Sequence, residues 1–324
     1  MSLTVAVQMD PIEGINIAGD STFALMLSAQ ARGHRLFHYL ATDLCYRDGR
    51  VAAHARPVEV RRQAGDHHRL GEPVTLDLAD QVDVVLMRQD PPFDLAYITA
   101  THLLERVHPH TLVVNDPVSV RNAPEKLFVL DYARFMPPTM ITRSLADVRT
   151  FQAEHGDIVV KPLHGNAGSA VFKIGRDGTN LGSLVELFGQ VWAEPFMVQA
   201  FLPDVAKGDK RIVLVDGKVA GAINRVPGAG EIRSNLAAGG TAHATELTSR
   251  EREICEALGP ELARRGLLFV GIDVIGGTYL TEINVTSPTG IVAIDAFNGT
   301  DTPALIWDAI EAKAAARGAT GSSI

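Results

Sequence analysis

The chain has 324 residues, of which 46% are hydrophobic and 21% are charged, and its formal net charge is −8. This length exceeds a single typical core and predicts two or three domains or lobes. The acidic balance argues against nucleic acid or an anionic membrane as the main partner. The amino terminus lacks a secretory signal pattern, no apolar run approaches the roughly 20 residues of a membrane span, and the two cysteines are far apart. We therefore expect a cytoplasmic protein.

The first third of the chain alternates short apolar runs with helical patterns. The runs at 3–9, 82–87 and 112–114 predict buried strands, and residues 93–107 have a helical pattern. Such alternation is typical of a parallel or mostly parallel sheet, in which ligands bind beyond the carboxyl ends of the strands. We therefore predict a substrate-binding α/β domain over residues 1–122.

Two further lobes are predicted after this domain. Residues 123–200 alternate strands and a helix in a small α/β lobe, and residues 201–316 begin with a clear hairpin and form a larger lobe. A capping box predicts a helix near residues 249–265, which the Gly-Pro pair at 259–260 is expected to disturb. The last residues, 317–324, are expected to form a flexible tail.

A predicted pair of strands carries three oxygen donors. Glu282 and Asn284 lie two residues apart on one strand, so their side chains share a face. Asp273 lies on the preceding apolar strand, and Gly276-Gly277 favours a tight turn that brings it opposite them. Such donors in an apolar setting suit Mg²⁺, especially one that shares phosphate oxygens. A buried acid pair satisfied by hydrogen bonds is the alternative interpretation.

A second cluster combines lysines with small residues. Lys161 ends a predicted strand and precedes a loop that contains Gly165 and Gly168. This arrangement suits a nucleotide phosphate, because the loop backbone offers N–H donors and the ammonium supplies a point charge. Lys126 adds a cation at the start of the same lobe, whereas neither the P-loop nor the Rossmann fingerprint is present. Ordinary surface lysines beside a turn are the alternative.

Residues 227–240, here named the lid segment, form a glycine-rich stretch. Ten of its fourteen residues are Gly, Ala, Pro, Ser or Asn, which predicts a mobile loop. Arg225 and Arg233 accompany it, and a lid that carries arginines would exclude water and bind anionic oxygens. A plain disordered loop is the alternative. Cations in a small lobe, oxygen donors in a larger lobe and a lid together indicate phosphoryl transfer from ATP.

Seven sequence blocks in order, between about residues 3 and 310, carry a resemblance to a known family. They lie at 7–17, 86–94, 125–128, 160–163, 208–211, 235–240 and 281–288. The most selective are Arg-Gln-Asp-Pro-Pro-Phe-Asp at 88–94 and Asn-Leu-Ala-Ala-Gly-Gly at 235–240. The sequence resembles the bacterial glutathione synthetases, which are ATP-grasp ligases. The resemblance implies an α/β fold class, with an N-terminal open, mostly parallel α/β domain followed by a two-lobed ATP-grasp fold.

The resemblance also implies roles for individual residues. ATP would be bound by Lys126, Lys161, Gly165, Gly168, Gln199, Phe201, Leu202 and Asp209, the last near the ribose. The other substrates would be bound by Asn16, Arg88, Arg225 and Asn284. Mg²⁺, or alternatively Mn²⁺, would be held by Asp273, Glu282 and Asn284. The catalytic arginines would be Arg211, Arg225 and Arg233.

The implied reaction has two steps. ATP phosphorylates the cysteinyl carboxylate of γ-L-glutamyl-L-cysteine, and the amine of glycine then displaces phosphate to give glutathione. A homo-oligomer is expected, with no nucleic acid or membrane partner. One alternative is another ATP-grasp ligase with a different acceptor, since Thr241, Gly290 and Val292 depart from the pattern of one subtype. A non-catalytic ATP-binding protein is the other, although the predicted metal ligands and the lid are all present.

Overall fold

The computed structural model describes residues 2–165, 168–236 and 239–320, and within these ranges the chain forms three sheets. The strands of the first sheet are β1 (Thr4–Gln8), β2 (Arg35–Tyr39), β3 (Leu44–Arg47), β4 (Arg50–Val60), β5 (His68–Leu70), β6 (Val74–Asp77), β7 (Val84–Met87) and β8 (Leu112–Val114). The main path of this sheet is β3–β4–β2–β1–β7–β8, and β5 and β6 pair with β4.

The first sheet has a parallel part and an antiparallel part. Strands β2, β1, β7 and β8 run parallel, as the alternation of strands and helices predicted. Strands β3 to β6 add an antiparallel extension that the sequence pattern did not predict. The longest of them, β4, alternates buried residues with exposed ones such as His54 and Arg56. A strand that is exposed on one face lacks the continuous apolar run that identifies a buried strand.

The α-helices are α1 (Ser21–Ala31), α2 (Leu95–Leu104), α3 (Pro117–Arg121), α4 (Glu125–Phe128), α5 (Leu145–His155), α6 (Leu181–Val191), α7 (Ser249–Arg264), α8 (Ile291–Asn298) and α9 (Thr302–Thr320). Short 3₁₀ helices lie at Ile12–Gly14, Ala41–Asp43, Val129–Phe135 and Pro203–Lys207. Within the described residues, no helix combines the length and the apolar character needed to cross a membrane.

Two helices differ from the sequence expectation. Helix α7 begins with the predicted capping box of Thr248 and Glu251, but it continues through Pro260 without interruption. Helix α9 continues to Thr320, so residues 317–320 are helical rather than part of a flexible tail, and residues 321–324 lie outside the described ranges. The buried Trp307 explains why α9 is held, because its ring nitrogen donates a 2.8 Å hydrogen bond to Leu25 O in α1.

The second sheet belongs to the small lobe. Its strands are β9 (Thr139–Thr142), β10 (Ile158–Pro162), β11 (Phe172–Ile174) and β12 (Phe196–Ala200), in the antiparallel order β11–β10–β12–β9. Helices α5 and α6 supply Phe151 and Phe188 to a core that this lobe forms from its own residues. The small lobe therefore has a core cluster of its own, while Leu163 and Met197 pack in the cluster that contains buried residues of the third sheet.

The third sheet is antiparallel throughout. Its strands are β13 (Asp209–Val215), β14 (Lys218–Val226), β15 (Thr241–Ala244), β16 (Phe269–Ile275) and β17 (Tyr279–Asn284), in the order β15–β14–β13–β16–β17. The predicted hairpin of β16 and β17 is confirmed, and Gly276 and Gly277 in its turn have φ values of +63° and +64°. This register places Asp273 directly opposite Glu282.

The N-terminal domain and the third sheet share their cores. Asn115, which follows β8, donates hydrogen bonds of 2.7 and 2.8 Å to the carbonyl oxygens of Phe269 and Val285, and its own amide oxygen accepts from Phe269 N at 2.8 Å. Two apolar clusters contain buried residues from both parts of the chain. This amide therefore joins β16 and the residue after β17 to the segment that follows the edge strand β8.

The turn between β13 and β14 is expected to tolerate only glycine. Gly217 and Gly65 share a φ of +77°, so alanine strains both positions equally, by about 1–2 kcal/mol. A methyl group on Gly217 would also overlap the carbonyl oxygen of Gly259 in α7, whereas nothing lies within 4 Å of that position on Gly65. Gly217→Ala should therefore lose roughly 1–3 kcal/mol more than Gly65→Ala in urea unfolding. Equal midpoints for the two variants would contradict this packing argument.

Candidate active site

A cavity of about 320 Å³ lies between the small-lobe sheet and the third sheet. It brings together most of the residues that the sequence predicted for a site. Those that line it are Lys126, Lys161, Gly165, Gly168, Gln199, Phe201, Leu202, Asp209, Arg211, Arg225, Arg233, Asp273, Glu282 and Asn284. Residues that are more than 150 positions apart in the chain therefore line the same cavity.

Two predicted substrate residues are placed elsewhere. Asn16 is exposed, and its side-chain oxygen accepts a 3.2 Å hydrogen bond from Ala18 N. Arg88 is buried behind the cavity wall, where its Nε donates to Thr22 Oγ1 at 3.0 Å and its Nη2 donates to Pro288 O at 2.8 Å. Arg88 therefore supports the loop around Pro288, which does line the cavity. Neither side chain is among those that line the cavity.

One end of the cavity is apolar. Its lining there includes Pro137, Val159, Val171, Val205 and Ile275 beside the connection Gln199–Leu202. The sequence reasoning missed these apolar residues, although one signal was available. Val159 and Lys161 lie two positions apart on β10, so their side chains share a face of the strand. An apolar slot beside the backbone polar groups of such a segment suits a nucleotide base.

Two lysines and two acids form the first charge cluster. Lys126 Nζ donates a 2.7 Å hydrogen bond to Gly165 O, forms an ion pair with Glu125, and lies 3.6 Å from Glu282 Oε1. Lys161 Nζ lies 3.3 Å from the same Glu282 oxygen. Burial opposes ionisation of Glu282, but the two ammonium groups outweigh it and lower its pKa. The sequence reasoning missed Glu125, whose pKa burial raises.

Two arginines and two aspartates form the second charge cluster. Arg211 Nε and Nη2 donate to the two oxygens of Asp273 at 2.6 and 3.0 Å. Arg225 Nη2 lies 3.0 Å from Asp273 Oδ1 and 2.6 Å from Asp209 Oδ2. Burial disfavours the charged form of Asp273, but the guanidinium groups hold its pKa well below the usual range. At Asp209, burial dominates and raises the pKa to about 6.

The described part of the lid segment reaches both walls of the cavity. Ser234 is 3% exposed, and its Oγ donates a 2.8 Å hydrogen bond to Asp209 Oδ2 on β13. Asn235 and Arg233 lie beside Gly168 in the small lobe, where a β-carbon would come within 3.0 Å of Asn235 Oδ1. Residues 237 and 238 of the predicted Asn-Leu-Ala-Ala-Gly-Gly block lie outside the described ranges, as do residues 166 and 167 of the phosphate loop.

The predicted metal ligands have suitable chemistry for Mg²⁺. Asn284 Nδ2 donates to Asp273 Oδ2 and Gly271 O at 3.3 Å each, which leaves its amide oxygen as the atom able to bind a cation. Among the described residues, no group of three or more His, Cys, Asp or Glu side chains is arranged so that it could hold a metal ion, so the set depends on that amide. The carboxylates of Asp273 and Glu282 are neutralised by arginines and lysines, and a metal ion would share these oxygens. The metal site stays a prediction.

The fold is that of the ATP-grasp ligases. A crystal structure of D-cycloserine synthetase DcsG aligns with 95% of this chain and 99% of its own, at a TM-score of 0.68 and 17% identity. The ATP-grasp ligase PsnB complexed with minimal precursor aligns with 97% of this chain and 100% of its own, at a TM-score of 0.63 and 19% identity. At such identities the likeness concerns the fold alone.

Sequence comparison identifies the family. Residues 3–121 match the N-terminal domain of prokaryotic glutathione synthetase, and residues 125–299 match its ATP-grasp domain. A protein of Rhodopseudomonas palustris named glutathione synthetase is 60% identical over 97% of this chain and 100% of its own length. Its Agrobacterium fabrum counterpart is 59% identical over 95% and 96%, and that of Pseudomonas aeruginosa is 44% identical over 98% and 100%. The chain belongs to the prokaryotic glutathione synthetase family.

Removal of the Asp273 charge is expected to destabilise the fold as well as the site. Asp273→Asn leaves the buried guanidinium group of Arg211 without its acidic partner and that of Arg225 with Asp209 alone, so we expect a loss of about 3–5 kcal/mol in urea unfolding. The matched change Asp80→Asn, in an exposed pair with Arg50, should leave the unfolding midpoint near the wild-type value. Similar midpoints for the two variants would show that the buried cluster does not stabilise the fold.

Proposed function

We propose that this chain is a glutathione synthetase that joins γ-L-glutamyl-L-cysteine to glycine and converts ATP to ADP and phosphate. One observation carries the proposal: a single cavity holds the lysines of the small lobe opposite the acid and arginine clusters of the third sheet. The family membership of the whole chain supports the same reaction. The cytoplasmic location and the homo-oligomer stay predictions.

The nucleotide occupies the length of the cavity. Its base lies in the apolar slot beside the connection Gln199–Leu202, and its ribose lies near Asp209. Lys126 and Lys161 bind the phosphates, because their ammonium groups already lie within 3.6 Å of one acidic oxygen at the centre of the cavity. The loop around Gly165 and Gly168 adds backbone donors.

The first chemical step transfers the terminal phosphoryl group. An oxygen of the cysteinyl carboxylate attacks the γ-phosphorus, the bond to the β-phosphate oxygen breaks, and an acyl phosphate and ADP result. Arg211 and Arg225 lie on adjacent strands with their guanidinium groups on one aspartate, so they stabilise the charge that develops on the transferred group. Magnesium, or manganese in its place, held by Asp273, Glu282 and Asn284, would supply further neutralisation of phosphate charge.

The second step forms the peptide bond. The amine of glycine attacks the acyl carbon, a C–N bond forms, the C–O bond to phosphate breaks, and the proton that the amine loses leaves with the phosphate. An acyl phosphate hydrolyses if water reaches it, so the cavity has to be closed during this step. The lid segment performs this closure, since Arg233 and Ser234 line the cavity. Arg233 adds a positive charge above the phosphate loop.

The first test measures phosphate release from ATP with Mg²⁺, with γ-glutamylcysteine and glycine added separately and together, and identifies the product by mass spectrometry. We expect rapid release only with both substrates, with a product at the mass of glutathione and little release without metal. Product with another amine in place of glycine would indicate a ligase with a different acceptor. ATP binding without phosphate release under any condition would indicate a non-catalytic protein.

Glu282 provides a direct test of the site. Glu282→Gln keeps the size of the side chain but removes the negative charge that faces Lys126 and Lys161. It also removes one of the predicted carboxylate ligands of the metal. Turnover should fall at least about 100-fold, which corresponds to roughly 2.7 kcal/mol in the barrier. Glu186→Gln on the exposed face of α6 should retain wild-type turnover. Near wild-type turnover in Glu282→Gln would remove this residue from the mechanism.

A further inference from the structure

Asp209 is a buried carboxylate with only one satisfied oxygen. Its Oδ2 accepts from Arg225 Nη2 at 2.6 Å and from Ser234 Oγ at 2.8 Å. Its Oδ1 is buried and has no hydrogen-bond partner among the described residues, yet Asp209 lines the cavity. An unpaired buried acceptor is costly, about 1–3 kcal/mol, so a donor on a ligand in the cavity is expected to satisfy it.

Ser234 helps to fix the orientation of the Asp209 carboxylate. Arg225 and Ser234 both bind Oδ2, and together they fix the plane of the carboxylate and leave Oδ1 for a ligand. Arg225 belongs to β14, whereas Ser234 belongs to the lid segment. Arg225 keeps one contact with Oδ2 in any case, so the second contact, which fixes the plane of the carboxylate, is present only while residues 233–235 of the lid segment lie against β13.

The neighbours of Ser234 in sequence contact the opposite wall of the cavity. Arg233 and Asn235 lie beside Gly168 in the small lobe, while Ser234 binds the third sheet. The lid segment thus has two separable attachments, one to each lobe.

We propose that Ser234 is a positioning residue that couples docking of the lid segment to recognition of a ribose hydroxyl by Asp209. In this arrangement the nucleotide donates to Oδ1 and Ser234 donates to Oδ2 of the same carboxylate. The inference rests on the proposed function, because it takes the cavity as a nucleotide site. It adds a residue of the lid to the determinants of nucleotide specificity.

The first measurement is the affinity of the full-length chain for ATP, 2′-deoxy-ATP and 3′-deoxy-ATP by calorimetry with Mg²⁺. In the wild type, loss of the hydroxyl that contacts Asp209 should weaken binding about tenfold, as expected for a hydrogen bond to a charged group. In Ser234→Ala, the same loss should weaken binding only about twofold, because Oδ1 is no longer held in position. Ser234→Ala should also bind ATP itself several-fold more weakly.

Asn235→Ala provides the matched control within the lid segment. It removes the contact with Gly168 but keeps Ser234, so it should preserve the tenfold preference for ATP over the deoxy nucleotide. Trypsin cleavage after Arg233 reports the docking independently of catalysis. Saturating ATP should slow this cleavage about tenfold in the wild type and about twofold in Ser234→Ala, since protection follows the population of the docked segment.

The outcomes separate this inference from the proposed function. Wild-type preference for ATP retained in Ser234→Ala would overturn the coupling, as would equal binding of ATP and both deoxy nucleotides by the wild type. Loss of the preference in Asn235→Ala as well would also overturn it, because any loosening of the segment would then suffice. A wild-type chain that binds none of the three nucleotides would overturn the proposed function itself.

Discussion

The ion pairs between the arginines and aspartates of β13, β14 and β16 are the interaction on which the rest of the site depends. Asp209 is the cross-strand partner of Arg225, and Arg211 is the cross-strand partner of Asp273, so each charge meets its opposite in the register of the sheet. Burial of any one of these groups alone would cost several kcal/mol. A slip of one strand by one residue would move a charge to the other face and leave its partner unpaired. The network therefore favours one register, and that register also aligns the predicted metal ligands.

Opposite charges also neutralise each other in the first charge cluster, which contains the two lysines. Lys126 and Lys161 are matched by Glu125 and Glu282, so cations that would otherwise repel each other lie close together in a buried place. In the proposed function, each lysine would exchange a protein acid for a phosphate oxygen of ATP. A divalent metal at the predicted ligands would take the place of the lysines beside the acids and offset part of the negative charge of the triphosphate, which limits the electrostatic cost of binding.

The sequence predicted those parts of the site that depend on local geometry. The Gly276-Gly277 turn was enough to place Asp273 opposite Glu282, and the end of a strand was enough to place Lys161 at the cavity. Contacts between distant segments were not predictable in this way. The burial of Arg88 depends on the carbonyl of Pro288, 200 residues away, and no local pattern identifies that contact. The roles of Arg88 and of the other family residues came from resemblance, and they stay predictions.

The hydrogen bonds of the Asn115 amide affect which part of the molecule can move during a catalytic cycle. It joins the N-terminal domain to β16 and to the residue after β17, and the shared cores extend this junction over a wide area. The small lobe has a core cluster of its own, and it meets the third sheet through Leu163 and Met197 and through the ion pair of Lys161 with Glu282. The molecule therefore consists of a larger part, formed by the N-terminal domain and the third sheet, and a smaller part, the small lobe, which carries most of the apolar slot. If the cavity opens for release of ADP, the small lobe is therefore the part that we expect to move, while the Asn115 junction keeps its geometry.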